Sequence, residues 1–446
     1  MLDKIFRFFC FALLVQVVFI SCKPQKLASK SNNSETKISE AENFANQFIF
    51  SNQDLKSAHI GISIFNTATQ SFLYNHQADK FFVPASNTKI PTCYLAMKYL
   101  GDSLVAFQYK KITNGSVQIK PTADPTFLHS EYNSNRQLSF LKQFNAIEIV
   151  RPNTSLKSYG SGWAWNDYEE TYMAPRSIYP AYGNIAVFQK IENKINSIPS
   201  YLLESAQIKI NENSKGISVK KLWDSNQFLI TDGKNIGVDI PFLTDEYEFK
   251  KILANETSLP ISISTDTSTT QWSNFYSQPT DSMLSIMMHR SDNYLAEQSL
   301  LMAGLEKNGI INDAYAIDNA LKTDFAQMPH KPRWVDGSGL SRYNLFTPQD
   351  FVWLLNKIKT EFSWNRITNI FETGGEGTIS SYYKNYIGKI YAKTGTLGNQ
   401  VALSGYFISK NNTMFIFSVL VNNHQTTATN VRKAIESYLT AIIENY

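Results

Sequence analysis

Along residues 59–76, "HIGISIFNTATQSFLYNH" alternates apolar and polar positions on both sides of "NTATQ", the two-residue period of a strand that folds back on itself. A β-hairpin is predicted there. From Thr88 to Leu100 the period changes. Leu95, Met97 and Leu100 fall close to helical spacing, and Gly101 stands where a helix would stop. Pro91 lies inside this helix. Its missing backbone donor and its crowding of the carbonyl four residues back predict a kink or a delayed second turn.

Between about residues 108 and 270 the pattern breaks into short β-like runs, "SVQIK", "AIEIV", "QIKI" and "GISVKKL", separated by Asn, Ser, Gly and Pro. This texture predicts a β-rich inserted domain over 108–270. Helical periodicity returns with "DSMLSIMMHRSDNYLAEQSLLMAGL". Near the end come three strand candidates, "KIYAKT", "VALSGYFIS" and "TMFIFSVLV", and then a helix from about Thr427 to Asn445. A hairpin and helix early, with strands and a helix late, predict one sheet closed by both ends of the chain.

The first residues follow another logic. Lys4 and Arg7 precede an apolar run from Phe8 to Ile20, short for a bilayer span and suited to the apolar region of an export signal. The run ends in "FISC", which resembles the lipobox of bacterial lipoproteins. The resemblance implies a signal over 1–22, lipidation of Cys22 and a membrane anchor, with Lys23 after it fitting the outer membrane by analogy. Residues 23–44 are polar and lack an apolar period, so they read as a flexible tether, with the folded part starting near Phe44.

At 446 residues the chain exceeds what one core usually organises. Its 42 basic and 38 acidic residues give a formal charge of +4 without a basic block, which argues against nucleic acid as a partner. Cys10 falls in the signal and Cys22 would carry lipid, so Cys93 has no intramolecular partner and reads as core filler. The six histidines are scattered, and no metal site or cofactor is expected.

Candidate chemistry centres on "PASNTKIP", where Ser86 and Lys89 stand one helical turn apart. That spacing alone decides nothing, since Ser34 and Lys37, Ser139 and Lys142, Ser218 and Lys221, and Ser381 and Lys384 share it. The company is what discriminates. Ser291, Asp292 and Asn293 follow, then Lys393, Thr394 and Gly395 on a predicted strand; S-x-x-K, S-D-N and K-T-G together mark penicillin-binding proteins and class A β-lactamases. Singly, Ser86 would be a helix cap, Lys393 a solvated strand residue and Asn293 a turn residue. Jointly those explanations fail.

"PASNTK", "SDNYLAEQ", "DGSGLSR" and "KTGTLGNQVALSGYF", in that order, resemble the D-alanyl-D-alanine carboxypeptidase/endopeptidase family, the S13 serine peptidases similar to penicillin-binding protein 4. "GWAWNDYEETYMAP" with Asn184 resembles that family's insert, and "ADPTF" its "GDPTL", with Ala123 in place of glycine. Where the family often has an aspartate before "TS", Asn153 stands here. The resemblance implies an α/β fold of the α+β kind: a penicillin-binding, β-lactamase-like domain over 45–107 and 271–446, its antiparallel sheet flanked by helices, carrying the insert.

It also implies the chemistry. Ser86 would be the nucleophile and Lys89, once neutral, its base; burial and the charge of Lys393 would lower the Lys89 pKa. Ser291 would relay the proton and Asn293 would hold a substrate carbonyl, while Asp292 orients its loop. Lys393, Thr394, Gly395 and Thr396 would receive the substrate and its terminal carboxylate, and the backbone N–H groups of Ser86 and Thr396 would form the oxyanion hole. "DGSGLSR" reads as a structural turn near the site, outside catalysis. The implied partners are peptidoglycan stem peptides, with β-lactam antibiotics as inhibitors, on the periplasmic side of a bacterial membrane. The alternatives are a β-lactamase-like hydrolase, for which "DFAQMPHKPRWVD" offers no deacylating glutamate, and a catalytically silent cell-wall lipoprotein.

Overall fold

The computed structural model describes residues 39–192, 194–209, 216–231, 237–264 and 271–446. The expected signal, Cys22 and most of the expected tether lie outside the described residues. The predicted hairpin forms, with strands His59–Asn66 and Ser71–His76 pairing antiparallel. It joins Ile390–Leu397, Gln400–Ile408 and Met414–Asn422 in a six-stranded sheet. The order runs Glu372–Thr373, Ile390–Leu397, Gln400–Ile408, Met414–Asn422, His59–Asn66, Ser71–His76, antiparallel throughout.

Alternation along these strands sorts side chains into two cores. Phe415, Phe417, Val419 and Val421 meet Val431, Ile435, Tyr438, Leu439 and Ile442 of the last helix, Ala428–Asn445. Ile416 and Leu420, one position over, face a larger core with the helices Lys89–Tyr99, Asn293–Asn308 and Pro348–Glu361. The helix Glu40–Ala45 buries Ala41 and Ala45 in the first core. This helix lies largely inside the span 23–44 read as tether; two small apolar residues one turn apart are too weak a pattern to announce it.

Pro91 does not act as predicted. A 3₁₀ turn, Ala85–Thr88, precedes the α-helix, which starts at Lys89, so Pro91 is its third residue. There the backbone N–H lacks an intrahelical acceptor and the ring costs little. Gly101, at φ +67°, follows the helix as expected.

A second, five-stranded sheet contains both predicted runs "SVQIK" and "AIEIV", in the order Ile261–Ser264, Ile147–Val150, Val117–Pro121, Ser103–Lys111, Ser273–Pro279. Ser103–Lys111 and Ser273–Pro279 pair antiparallel and bring the two ends of this region together, while Ile261–Ser264 forms the opposite edge of the sheet. Helices Asn135–Leu141 and Glu246–Thr257, which the β-like texture concealed, accompany it. Ala123 adopts φ +67°, a conformation that favours glycine, at the position where the related motif has one. No helix among the described residues is long and apolar enough to cross a membrane.

Candidate active site

Ser86 lies in the 3₁₀ turn and Lys89 opens the helix behind it. The turn starts from Ala85 at φ +47°, a backbone that few non-glycine residues adopt. Lys89 is fully buried, and its Nζ donates to three oxygens: Ser86 Oγ at 3.0 Å, Asn293 Oδ1 at 2.6 Å and the Ser338 carbonyl at 2.7 Å. Burial, and then the charge of Lys393, push its ammonium down to about 7, against the pull of Asp292, Asp336 and Glu297.

Asn293 begins the helix Asn293–Asn308, capped by Asp292, whose side chain accepts from the Leu295 N–H at 2.8 Å. Asp292 thus orients its segment, as expected. The Asn293 amide is already engaged on both sides, since its Nδ2 donates to the Tyr172 carbonyl at 2.8 Å. Ser291 takes φ +57°, and its hydroxyl makes no hydrogen bond among the described residues. Beside these residues opens a cleft of about 560 Å³, lined in part by His129, Tyr172, Tyr182, Asp239 and Arg290.

Across the site runs the strand Ile390–Leu397. A Cβ added to Gly395 would lie 2.5 Å from the Pro84 carbonyl oxygen and 3.0 Å from the Ser86 nitrogen, so only glycine lets strand and serine turn meet this closely. On its outer side the strand pairs, among the described residues, only with Glu372–Thr373, at Ala392 and Tyr391. Lys393 to Leu397 form an edge with no neighbouring strand on that side among the described residues. Lys393 is buried, its Nζ donating to the Thr394 carbonyl at 3.1 Å. Burial lowers its pKa, the Glu372 carboxylate opposes this, and Arg432 adds to it. Thr394 is buried and Thr396 exposed.

Several residues outside the predicted set hold this arrangement. Asn87 Nδ2 donates to the Lys393 carbonyl, and Asn87 Oδ1 accepts from Ser404. "DGSGLSR", read as a turn outside catalysis, supplies the Ser338 carbonyl to Lys89. Asp336 organises that loop, accepting from Gly339 N, Ser341 N, Asn344 Nδ2 and Trp163 Nε1 at 2.6–2.9 Å. Glu297 Oε1 accepts from Ser338 N at 2.7 Å, and Glu297 Oε2 pairs with the buried Arg176 at 3.5 Å. Behind the strand, Glu372 accepts from Thr378, and Thr378 Oγ1 lies 2.6 Å from Thr394 Oγ1. Asn87 had a signal, its place inside "PASNTK". Glu372 had none, because nothing in "FETGG" says that it folds behind a lysine 21 positions later.

The model of the D-Ala-D-Ala carboxypeptidase 3 (S13) family matches residues 46–442. The chain belongs to that family. As an S13 peptidase it is a hydrolase of the D-Ala-D-Ala carboxypeptidase class, a cell-wall peptidase. It is 22% identical over 424 residues to the D-alanyl-D-alanine carboxypeptidase DacB of Haemophilus influenzae, covering 83% of this chain and 87% of the relative. Its fold is that of penicillin binding protein 4 (dacB) from Haemophilus influenzae, with a TM-score of 0.73, 17% identity and coverage of 91% and 99%. It is also similar to the predatory endopeptidase Bd0816 from Bdellovibrio bacteriovorus, at a TM-score of 0.51, 15% identity and coverage of 86% and 94%. The expected penicillin-binding fold, with its antiparallel sheet and flanking helices, is the one observed.

Proposed function

We propose that this S13 peptidase hydrolyses D-alanyl bonds of peptidoglycan stem peptides through an acyl-enzyme on Ser86, releasing terminal D-alanine, opening D,D cross-links, or both. The observation that carries this reading is the set of three oxygens around Lys89 Nζ. An ammonium has three hydrogens to donate, whereas a neutral amine has two and a lone pair. Asn293 Oδ1 and the Ser338 carbonyl are fixed acceptors, so they retain the two hydrogens. The lone pair then falls to Ser86 Oγ, at 3.0 Å, and takes its proton as the oxygen attacks.

The oxyanion would rest on the N–H groups of Ser86 and Thr396, a reading supported by the approach of Gly395 to the Ser86 nitrogen. Ser291, with its hydroxyl uncommitted, would carry the proton from Lys89 to the leaving amine. Water then cleaves the ester, and no cofactor enters any step. The extended peptide would lie along the open edge at Lys393–Leu397 as an added strand, its carboxylate on Lys393, Thr394 and Thr396. The remaining Asn293 amide hydrogen would face the substrate. The cleft beside Ser291 offers room for the stem peptide. Export through the 1–22 signal and an anchor on Cys22, at the outer membrane, would put the enzyme beside its polymer.

A fluorescent penicillin should label the protein covalently, and Ser86→Ala should abolish the label; labelling that survives the change overturns the assignment. Mass spectrometry of muropeptides digested by wild type and Ser86→Ala should show D-alanine loss, cross-link opening, or both, from wild type alone.

A further inference from the structure

Arg432, on the last helix, belongs to no motif, yet its guanidinium reaches the K-T-G-T strand. Its Nη2 donates to Thr396 Oγ1. No carboxylate pairs with it among the described residues, and its Nε is shut off from solvent without a hydrogen-bond partner. An arginine head is charged at any ordinary pH and carries five donors that match a carboxylate. This one retains unused charge and donors beside the open strand edge. It also lies close enough to Lys393 to influence that lysine's protonation.

The hydroxyl protons sharpen the point. A threonine hydroxyl has one proton to give. Thr396 accepts from Arg432, so its own proton is available to an incoming group. Thr394 is connected in the opposite sense: with Glu372 ionised, Thr378 donates to it, and the proton in the Thr378–Thr394 contact must come from Thr394. With Glu372 ionised, Thr396 is the threonine with a proton free for an anion, and Thr394 would serve the carboxylate through its contact with Lys393 Nζ at 3.4 Å.

We infer that Arg432 is a positioning residue for the free carboxylate of the substrate, fixing the Thr396 hydroxyl as a donor and adding its charge to that of Lys393. The inference rests on the acyl-enzyme reading of the preceding section. It makes the enzyme selective for a carboxylate, as against an uncharged end, one residue beyond the scissile bond.

The test uses the full chain and two N-acylated D-Ala-D-Ala peptides, one with a free carboxylate and one with a C-terminal amide. Wild type should favour the acid. Arg432→Gln should raise KM for the acid about tenfold or more with kcat little changed, and should leave kcat/KM for the amide as it was. Arg432→Lys should restore part of the preference, and Thr396→Val combined with Arg432→Gln should add little to either change alone. An unchanged acid-to-amide ratio overturns the inference, as does a parallel loss on both peptides with normal thermal unfolding. Should Arg432→Gln fail to fold, Arg432→Lys carries the test, since it too must narrow the ratio. Wild type that turns over neither peptide defeats the acyl-enzyme reading itself, which separates the two failures.

Discussion

Asn87 ties the serine turn to the K-T-G strand: its Nδ2 donates to the Lys393 carbonyl at 2.6 Å while its Oδ1 accepts from Ser404 Oγ at 2.7 Å. Ser404 in turn bonds Ser418 at 2.8 Å, so a buried polar row crosses the sheet beneath the site. Asn87→Ala takes this partner from a buried carbonyl and one of two partners from a buried hydroxyl. It should cost about 2–4 kcal/mol of stability and slow penicillin acylation, read by urea unfolding and stopped-flow labelling. Unchanged stability would show that water replaces the amide.

The two buried lysines should give acylation a bell-shaped pH profile. On the proposed function Lys89 is neutral when it takes the Ser86 proton, so the rate should rise as pH passes about 7. On the same reading Lys393 holds a carboxylate only while charged, and its pKa is lowered by burial, so the rate should fall again well below the ordinary lysine range of about 10.4. Glu372→Gln removes the influence that supports the Lys393 charge, and the alkaline limb should move to lower pH. Lys393→Gln removes a charge that depresses Lys89, and the acid limb should move to higher pH. Rate constants for acylation from pH 5 to 10 check both signs.

Asp336 faces donors on every side, so an amide there would turn an N–H toward another N–H. Asp336→Asn should destabilise the fold by about 2–3 kcal/mol and lower acylation, because the Ser338 carbonyl that positions Lys89 sits on the loop it holds. Thermal unfolding and labelling kinetics would measure the two effects separately. Trp163→Phe, which removes one of the four donors, should produce a smaller change in the same direction.

Gly395→Ala places a methyl group against backbone atoms of Pro84 and Ser86. Backbone cannot swing aside as a side chain can, so the serine turn and strand must separate and the oxyanion donors part. Acylation should fall by at least about a hundredfold while the protein still folds. Labelling kinetics beside circular dichroism would test it.

The hairpin, the last three strands and both helices around the motifs were legible because alternation and helical spacing are local. So was the convergence of Ser86, Lys89, Asn293 and Lys393, through motifs that name the partners. Pro91 was misjudged because the preceding 3₁₀ turn, which makes the proline an early helical residue, leaves no periodic trace. Glu372, Arg432 and the Ser338 carbonyl were not legible for another reason. Their contacts arise from tertiary placement, with Lys393, Thr396 and Lys89 respectively, and a backbone carbonyl carries no residue signature at all.

The strand Glu372–Thr373 is only two residues long. A longer partner would have finished the ladder along Lys393–Leu397 and left the sheet complete without help. Exposed edges normally invite unwanted pairing, and proteins keep them short or covered. On the proposed function, the shortness of one strand leaves the sheet to be finished by a chain that is not its own. Substrate binding would then be a brief continuation of folding, undone each time the product leaves.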